Sequence, residues 1–290
     1  MLSRLSVSRR ALLGAAAASA WPIARAQTPA PRLVTVGGGI TEVVYALGAQ
    51  AQLVGTDTTS LYPPAALSTP KVGYMRQLSA EGLLSLRPDA VVAAGDAGPP
   101  VVLDQLRSAG VAVSLIPASH DWAEVQHKLR AVGQATGRVD AARALMARLD
   151  AQWDATQARV RAFSGKPPRV LFVLAHSGSP TVSGEATAAH AMISLAGAHN
   201  ALSGFKGYRP MTAEAMAAAA PDVILTSSQS IEAMGGTAVF WQRPELALTP
   251  AWQARASGRS LVTIDALALL GFGPRLPAVV GELHDRLVRA

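Results

Sequence analysis

Short apolar runs alternate along the chain with stretches of helical period, and Gly, Pro, Asp or Ser bounds each run. The buried strands predicted on this pattern are 33–36, 90–93, 111–116, 170–174, 223–225 and 261–264. Strands that alternate with helical segments form parallel sheets whose two faces are covered by helices. The pattern therefore predicts an α/β protein with most of its strands parallel.

The segment 139–162 differs from its surroundings because it contains neither Gly nor Pro. Leu145, Leu149 and Trp153 recur on one face at helical intervals. One helix over this segment would be about 36 Å long at 1.5 Å per residue. We expect two lobes, each with a central, mainly parallel sheet flanked by helices, joined by this one long helix. The predicted boundaries are 27–137 for the first lobe, 138–165 for the linking helix and 166–290 for the second lobe.

An internal repeat relates the two predicted lobes. The segment 78–92 reads LSAEGLLSLRPDAVV, and 211–225 reads MTAEAMAAAAPDVIL. In each copy a hydroxyl residue can cap a helix whose first turn carries a glutamate, and Pro-Asp then precedes a buried strand. The loop before each copy contains Gly-Tyr and an arginine: Tyr74 with Arg76 in the first, Tyr208 with Arg209 in the second. The repeat indicates that both lobes share one plan.

Composition narrows the functional classes. Half of the residues are hydrophobic, which is enough for a sizeable buried core. There is no cysteine, so disulfides, thiolate metal sites, cysteine nucleophiles and a lipid-modified amino-terminal cysteine are excluded. Aromatic residues make up only 5%, too few for the stacking platforms that bind single-stranded nucleic acid.

Much of the positive charge lies in the first 26 residues. This segment combines a basic stretch with Arg9-Arg10, an apolar run and an Ala-Arg-Ala cleavage pattern. That order is typical of a cleaved export signal, and the arginine pair is similar to a twin-arginine signal. Removing residues 1–26 lowers the formal charge from +7 to +3. The high net positive charge of the full sequence is therefore no indication of nucleic-acid binding. The export signal places the mature chain outside the cytoplasm as an expectation.

Motifs for catalysis are weak or missing. The run Gly37-Gly38-Gly39 lacks the third glycine of a dinucleotide fingerprint and fits a tight strand-to-helix turn. No phosphate-binding loop, nucleophile elbow or zinc-protease motif occurs. His176 lies where a predicted strand ends, the edge at which α/β sheets bind ligands. A hydrolase that uses His176 with Ser177 or Ser179 is a remote alternative, since neither an acid partner nor an oxyanion hole is visible.

Four segments resemble the haem-binding periplasmic proteins of bacterial haem ABC transporters. They are VGYMRQLSAEG at 72–82, GITEVVYALG at 39–48, TAAHAMISLAG at 187–197 and LGFGPR at 270–275. They lie in order along nearly all of the mature chain. The wider family also includes carriers of siderophores and vitamin B12, and it shares the two-lobed, single-helix fold. The Gly-Tyr-x-Arg element narrows the resemblance to haem (ferric protoporphyrin IX).

The resemblance implies that Tyr74 is an axial ligand of the haem iron. Phenolate is a hard anionic oxygen donor suited to ferric iron. A free phenol has a pKa of about 10, so its binding as phenolate needs the iron and a nearby cation. Arg76, two residues later, can supply that charge or a hydrogen bond.

Haem also carries two propionates, which favour cationic partners. Arg209, Lys71, Lys206 and Arg275 are the candidates, although Arg275 equally fits a brace for the 271–274 turn. Tyr208 is a second candidate oxygen donor. Some family members bind stacked haems through a second ligand on the far lobe, a place that His176 or His190 could take.

The resemblance also implies a membrane partner. In the wider family one acidic residue on each lobe docks on arginines of the permease, and Glu81 and Glu214 match those positions. Each glutamate also complements the amino terminus of its own helix, and both roles can hold together.

The sequence therefore predicts a periplasmic, monomeric binding protein that delivers haem to an inner-membrane ABC permease and its ATPase. An outer-membrane haem receptor system is a further candidate partner. The nearest alternative is the same fold carrying a ferric siderophore or a corrinoid.

Overall fold

The computed structural model describes residues 30–175 and 180–289. The predicted export signal at 1–26 lies outside the described residues, as do His176, Ser177 and Ser179.

The first sheet is formed entirely by parallel strands from the first half of the chain. Its order is β2-β1-β3-β4, so the first strand lies in the interior of the sheet. Helices pack on both faces, and the apolar runs of β1 and β3 are buried among them. The elements are β1 Leu33–Val36, α1 Gly38–Ala46, β2 Leu53–Thr56, α2 Ala80–Ser85, β3 Ala90–Ala94, α3 Pro100–Ser108, β4 Ala112–Ile116 and α4 Trp122–Ala135.

The second sheet has six strands and is mixed. Three strands run parallel in the order β10-β9-β5, with β10 at one edge, while β6 and β8 continue the sheet in antiparallel fashion. The short β7 pairs with the start of β5. The elements are β5 Arg169–Leu174, β6 Thr181–Ser183, α6 Ala188–Leu195, β7 His199–Asn200, β8 Tyr208–Pro210, α7 Ala213–Ala219, β9 Val223–Ser227, α8 Ser228–Ala233, α9 Thr237–Trp241, α10 Pro250–Gln253, β10 Leu261–Ile264, α11 Ala266–Leu270 and α12 Leu276–Leu287.

A 24-residue helix, α5 Val139–Ala162, connects the two sheets and confirms the helix expected over this segment. Leu145 and Leu149 are buried on its inner face, as their spacing predicts. Trp153 stacks on Trp122 of α4 at 5.3 Å between ring centroids. One continuous core runs from the first sheet across α5 to the second. The described residues from 31 onward consequently pack as one unit, and the lobe boundaries at 137 and 166 stay a prediction.

The turn that connects α11 to α12, residues 271–275, docks on the first half of the chain. Lys128 of α4 is buried, and its ammonium donates to the carbonyls of Gly271 at 2.9 Å and Phe272 at 3.0 Å. A Cβ on Gly39 would come within 2.1 Å of the Gly271 carbonyl oxygen, so only glycine permits this approach. We call residues 271–275 the inter-sheet turn.

The all-parallel first sheet and the parallel centre of the second confirm the predicted α/β class. Four strands were not expected: β2, whose run is short and interrupted by glycine, and the two- or three-residue strands β6, β7 and β8. Too short to show a period, such segments become strands only because a neighbouring strand offers hydrogen bonds. Among the described residues, no helix combines the length and apolar character needed to cross a membrane.

Candidate functional site

The loop between β2 and α2 carries the strongest sequence candidates, and it lies at the carboxyl edge of the first sheet, where α/β proteins bind ligands. The loop turns at Gly73, whose φ of 97° is unfavourable for residues with a side chain. Backbone hydrogen bonds hold the residues after this turn: Gln77 N–H donates to the Tyr74 carbonyl, and Leu78 N–H donates to the carbonyl of Gly98. The loop is therefore tied to the segment that leaves β3.

Tyr74 and Arg76 meet, as their spacing suggested. The Tyr74 ring is 40% exposed, and its hydroxyl accepts a hydrogen bond from Nη1 of Arg76 at 2.5 Å. The guanidinium carbon lies 5.8 Å from the centre of the tyrosine ring. Nη2 of the same guanidinium is ion-paired with Asp96. One arginine thus joins a reachable phenol oxygen to a carboxylate.

The electrostatics keep Arg76 positively charged. Burial by itself lowers the pKa of its guanidinium. The charge of Asp96 and its hydrogen bond, and then those of Tyr74, raise this pKa by more, so the net shift is upward from the ordinary value of arginine. A fixed positive charge beside a phenol stabilises the phenolate form when a metal ion binds the oxygen.

Tyr208 and Arg209 lie on β8, at the edge of the second sheet. The Tyr208 ring is 41% exposed. Burial raises the pKa of its phenol, while the positive charge of Arg76 and a hydrogen bond with Thr187 oppose that rise. The charge of Arg76 therefore reaches a tyrosine of the other sheet. Arg209 is exposed, and its guanidinium lies 4.4 Å from the ring centre of Phe205.

The ammonium of Lys71 is bonded to the protein. It donates to the hydroxyl of Thr56 at 2.9 Å and to the carbonyls of Ser60 at 3.1 Å and Ala66 at 3.0 Å. Burial lowers its pKa, and the charge of Asp57 opposes that shift. All three N–H groups brace the loop that precedes Tyr74, so a propionate could bind only by displacing one of these acceptors.

Arg275 belongs to the inter-sheet turn. Its Nε and Nη2 donate to both carboxylate oxygens of the buried Glu42, at 3.0 and 2.9 Å. Its guanidinium carbon lies 3.8 Å from the ring centre of Tyr62. This geometry corresponds to the bracing alternative, and a role in propionate binding would require the bidentate pair to open.

A cavity of about 350 Å³ adjoins this pair between α1, α5 and the inter-sheet turn. Its walls include Tyr45, Tyr62, Arg148 and Leu149. It does not include Tyr74, so it is separate from the candidate site.

Glu81 and Glu214 occupy equivalent places in the two halves. Each is exposed in the first turn of its helix, α2 or α7. Ser79 and Thr212 cap these helices by accepting from backbone N–H groups at 3.3 and 3.2 Å, which confirms the predicted caps. The repeat in sequence is thus a repeat in local structure.

The remaining candidates are less connected to the site. His190 lies within α6, half-buried, with Nδ1 at 3.3 Å from the amide nitrogen of Asn200. Lys206 is exposed and bridges by its backbone to Glu185. Within residues 30–175 and 180–289, no three His, Asp or Glu side chains converge as a metal site.

Asp96 is the site residue that sequence reasoning missed. A signal was present, because Gly95-Asp96 comes directly after β3 and so lies at the carboxyl edge of the sheet. Only the folded chain shows that this edge meets the loop carrying Arg76.

Comparisons with known proteins show the family and the fold. The model of the periplasmic binding protein family matches residues 33–256. The solved structure of the periplasmic haem-binding protein BhuT in complex with two haems is 48% identical, with a TM-score of 0.83, over 89% of this chain and 98% of that one. The periplasmic haem-binding protein RhuT from Roseiflexus sp. RS-1, solved in its apo form, is 36% identical with a TM-score of 0.83, over 90% and 98% of the two chains.

Curated relatives match at lower identity than these two structures, 25–34% over the matched residues. The ABC transporter substrate-binding lipoprotein YvrC of Bacillus subtilis is 28% identical over 200 residues, 68% of this chain. The match spans only 63% of that lipoprotein. Further matches are to vitamin B12-binding proteins.

Proposed function

The chain belongs to the periplasmic binding protein family, and from that membership we propose that it carries haem between its two sheets and delivers it to an ABC permease. It is an extracytoplasmic solute-binding protein and not an enzyme. It acts in the periplasm. This location is supported by the periplasmic haem-binding proteins RhuT and BhuT, which match the chain over almost their whole length.

The observation that carries the proposal is the pairing of Tyr74 with Arg76. A phenol that is 40% exposed can reach a planar ligand, and the hydrogen bond from Nη1 leaves the oxygen a further lone pair for iron. Tyrosinate ligation of haem iron is an established mode. Tyr74 is accordingly the iron ligand, and Arg76 stabilises the negative charge of its oxygen.

In this proposal the second sheet forms the side of the haem site that faces Tyr74. Tyr208 lies on β8 of the second sheet. Burial raises the pKa of its phenol, but the charge of Arg76 lowers it, and this influence of Arg76 supports a position across the ligand from Tyr74. The raised pKa of Tyr208 favours a protonated hydroxyl, which donates a hydrogen bond instead of binding iron as phenolate. Arg209, exposed beside Phe205, is the leading partner for a propionate.

The permease docks on the two exposed glutamates. Glu81 and Glu214 stand at equivalent positions of the two halves, each at the start of a short helix. One carboxylate on each half gives a matched pair of negative charges, which fits a permease that presents one basic patch to each half.

A corrinoid or a ferric siderophore is the second candidate, because vitamin B12-binding proteins also match the chain. Neither ligand needs an axial phenolate next to an arginine. The Tyr74–Arg76 pair therefore favours haem.

A hemin titration of the wild type and of Tyr74→Phe, followed by absorbance, tests the proposal. We expect the wild type to give a saturable high-spin ferric Soret band. Tyr74→Phe should lose this spectrum and bind at least about tenfold more weakly, equivalent to about 1.4 kcal/mol.

Tyr45→Phe is the matched control, because Tyr45 lies on α1 by the separate cavity. It should bind hemin as the wild type does. An unchanged spectrum and affinity in Tyr74→Phe would disprove the ligand assignment. Saturable binding of cyanocobalamin or a ferric siderophore, without any hemin response, would replace haem by that ligand.

A further inference from the structure

The guanidinium of Arg76 is held at both of its ends. Nη1 donates to the Tyr74 hydroxyl, and Nη2 is ion-paired with the Asp96 carboxylate. The Arg76 side chain is 54% exposed and that of Asp96 is 40% exposed. An arginine this exposed has about 2 kcal/mol of rotamer entropy to lose, and one hydrogen bond to a neutral phenol offsets little of it.

Asp96 is itself fixed relative to Tyr74 by the backbone. It lies in the segment that leaves β3, two residues before Gly98. Gly98 N–H donates to the Met75 carbonyl, and Leu78 N–H donates to the Gly98 carbonyl, both at 2.9 Å. Two hydrogen bonds therefore join the segment carrying Asp96 to the loop carrying Tyr74 and Arg76.

Asp96 also influences a second cation, Lys128. The charge of Asp96 raises the pKa of Lys128, although burial lowers that pKa more strongly. Lys128 is committed to Glu124 and to the carbonyls of the inter-sheet turn. Among the described residues, Arg76 is thus the only cation with which Asp96 forms an ion pair.

We propose that Asp96 is a positioning residue, which holds the guanidinium of Arg76 so that Nη1 points at the oxygen of Tyr74. The inference rests on the proposed function, since that oxygen is the proposed iron ligand. Both hydrogen bonds use the charged guanidinium, but only the one to Asp96 joins two opposite charges. The carboxylate is therefore the stronger partner and sets the direction of the guanidinium. If Asp96 formed only a surface ion pair, it would contribute little and would not affect the ligand.

A double-mutant cycle separates these roles. Hemin dissociation into an excess of apomyoglobin is measured for the wild type, Asp96→Asn, Arg76→Gln and the double variant. We expect Asp96→Asn to speed dissociation about 3- to 30-fold, a coupling typical of contacting groups. In the Arg76→Gln background the same substitution should change the rate by less than about twofold.

Asp104→Asn is the matched control, because Asp104 forms an exposed ion pair with Arg107 at 2.8 Å on α3. It should leave the dissociation rate unchanged. An equal effect of Asp96→Asn in both backgrounds would overturn the proposal, and so would no effect. Slower dissociation would also overturn it, because Asp96 would then act by weakening the positive charge of Arg76.

A measurement without haem keeps this inference distinct from the proposed function. In ¹⁵N spectra of the haem-free protein, the Nη groups of Arg76 should rotate slowly in the wild type and rapidly in Asp96→Asn. Fast rotation in both would refute the positioning role. If the wild type fails to bind hemin, the proposed function is wrong, and the spectra still decide whether Asp96 orients Arg76.

Discussion

Two arginines, Arg32 and Arg169, hold strands of the two sheets in place, whereas Arg76 lies on an exposed loop. Arg32 and Arg169 each stand at the entry to a central strand, and their backbone N–H groups donate to Asp89 and Asp222 at 2.7 and 2.8 Å. Their guanidinium groups donate to carbonyls at the carboxyl ends of α2 and α7. Arg76, by contrast, lies on a loop and contacts Tyr74 and Asp96. The same residue type is structural at a strand entry and, in the proposed site, a ligand-supporting group at the carboxyl edge of a sheet.

Lys71 belongs to the structural group, which leads to a prediction. Lys71→Met removes three hydrogen bonds from the loop before Tyr74, so we expect the free energy of unfolding to fall by about 1–2 kcal/mol. Hemin affinity should change by less than about threefold, since the ammonium is already committed. Urea unfolding and hemin titration measure the two quantities.

Lys166→Met is the control, because Lys166 is exposed beyond the end of α5. It should alter neither quantity. If Lys71→Met left stability intact and lost more than tenfold in hemin affinity, Lys71 would instead be a propionate partner.

Helix α4 carries a buried ion pair whose lysine binds the inter-sheet turn. Lys128 and Glu124, one helical turn apart, form a buried ion pair at 2.6 Å. Glu124 also accepts from the backbone N–H of His120 at 2.7 Å. Burial lowers the pKa of Lys128, but the pair and two carbonyls satisfy its ammonium. A buried ion pair of this kind keeps its two side chains in one arrangement, because breaking it leaves a buried charge without a partner.

Lys128→Met should therefore be strongly destabilising. It leaves Glu124 buried without its cation and frees two carbonyls of the inter-sheet turn. We expect the free energy of unfolding to fall by about 3–5 kcal/mol. Chemical denaturation measures it, with Lys166→Met again as the control. A loss below about 1 kcal/mol would show that the pair contributes no more than an exposed one.

Across the protein as a whole, two features join the sheets: the core that crosses α5, and the inter-sheet turn with Lys128 and the Glu42–Arg275 pair. Both involve close-packed or bidentate contacts, which resist sliding. Ligand binding should therefore involve small movements of the halves, and the permease would meet a nearly fixed pair of carboxylates.

That expectation gives a test of docking. Reversing charge at both Glu81 and Glu214 to lysine should reduce haem uptake through the cognate permease by at least about tenfold, because like charges would meet at both contacts. Hemin affinity should stay within about twofold, since neither glutamate forms a hydrogen bond or ion pair with Tyr74 or Arg76. Uptake by cells and titration of the purified variant measure the two effects.

Glu232→Lys controls for the added positive charge, because Glu232 is exposed on α8, outside the repeat. It should transport haem normally. Parallel losses of uptake and affinity in the double variant would contradict a docking role.

The local sequence pattern was sufficient to predict the long helix, the longer strands and one pair of site residues. Helix α5, the strands β1 and β10, and the caps Ser79 and Thr212 depend on residues close in sequence. The contact of Tyr74 with Arg76 spans two residues of one loop and was equally accessible. These features need no knowledge of the rest of the chain, since their determining interactions are local.

Long-range partners were not accessible in the same way. Asp96 is 20 residues from Arg76, and Glu42 is 233 residues from Arg275. Nothing in the neighbouring sequence distinguishes a carboxylate that is bonded to the protein from one that is solvated. For the same reason the sequence did not show that Lys71 is bonded to its own loop, or which carboxylate Arg275 binds.

The order of amino acids was enough to establish the α/β class, the long helix, the repeated plan of the two halves and the phenol beside an arginine. Only the folded arrangement shows which charges are committed to other parts of the protein and which remain available to a ligand. The reason is physical: periodicity and capping are set within a few residues, whereas the partner of a charged side chain depends on which distant segment folding brings to it.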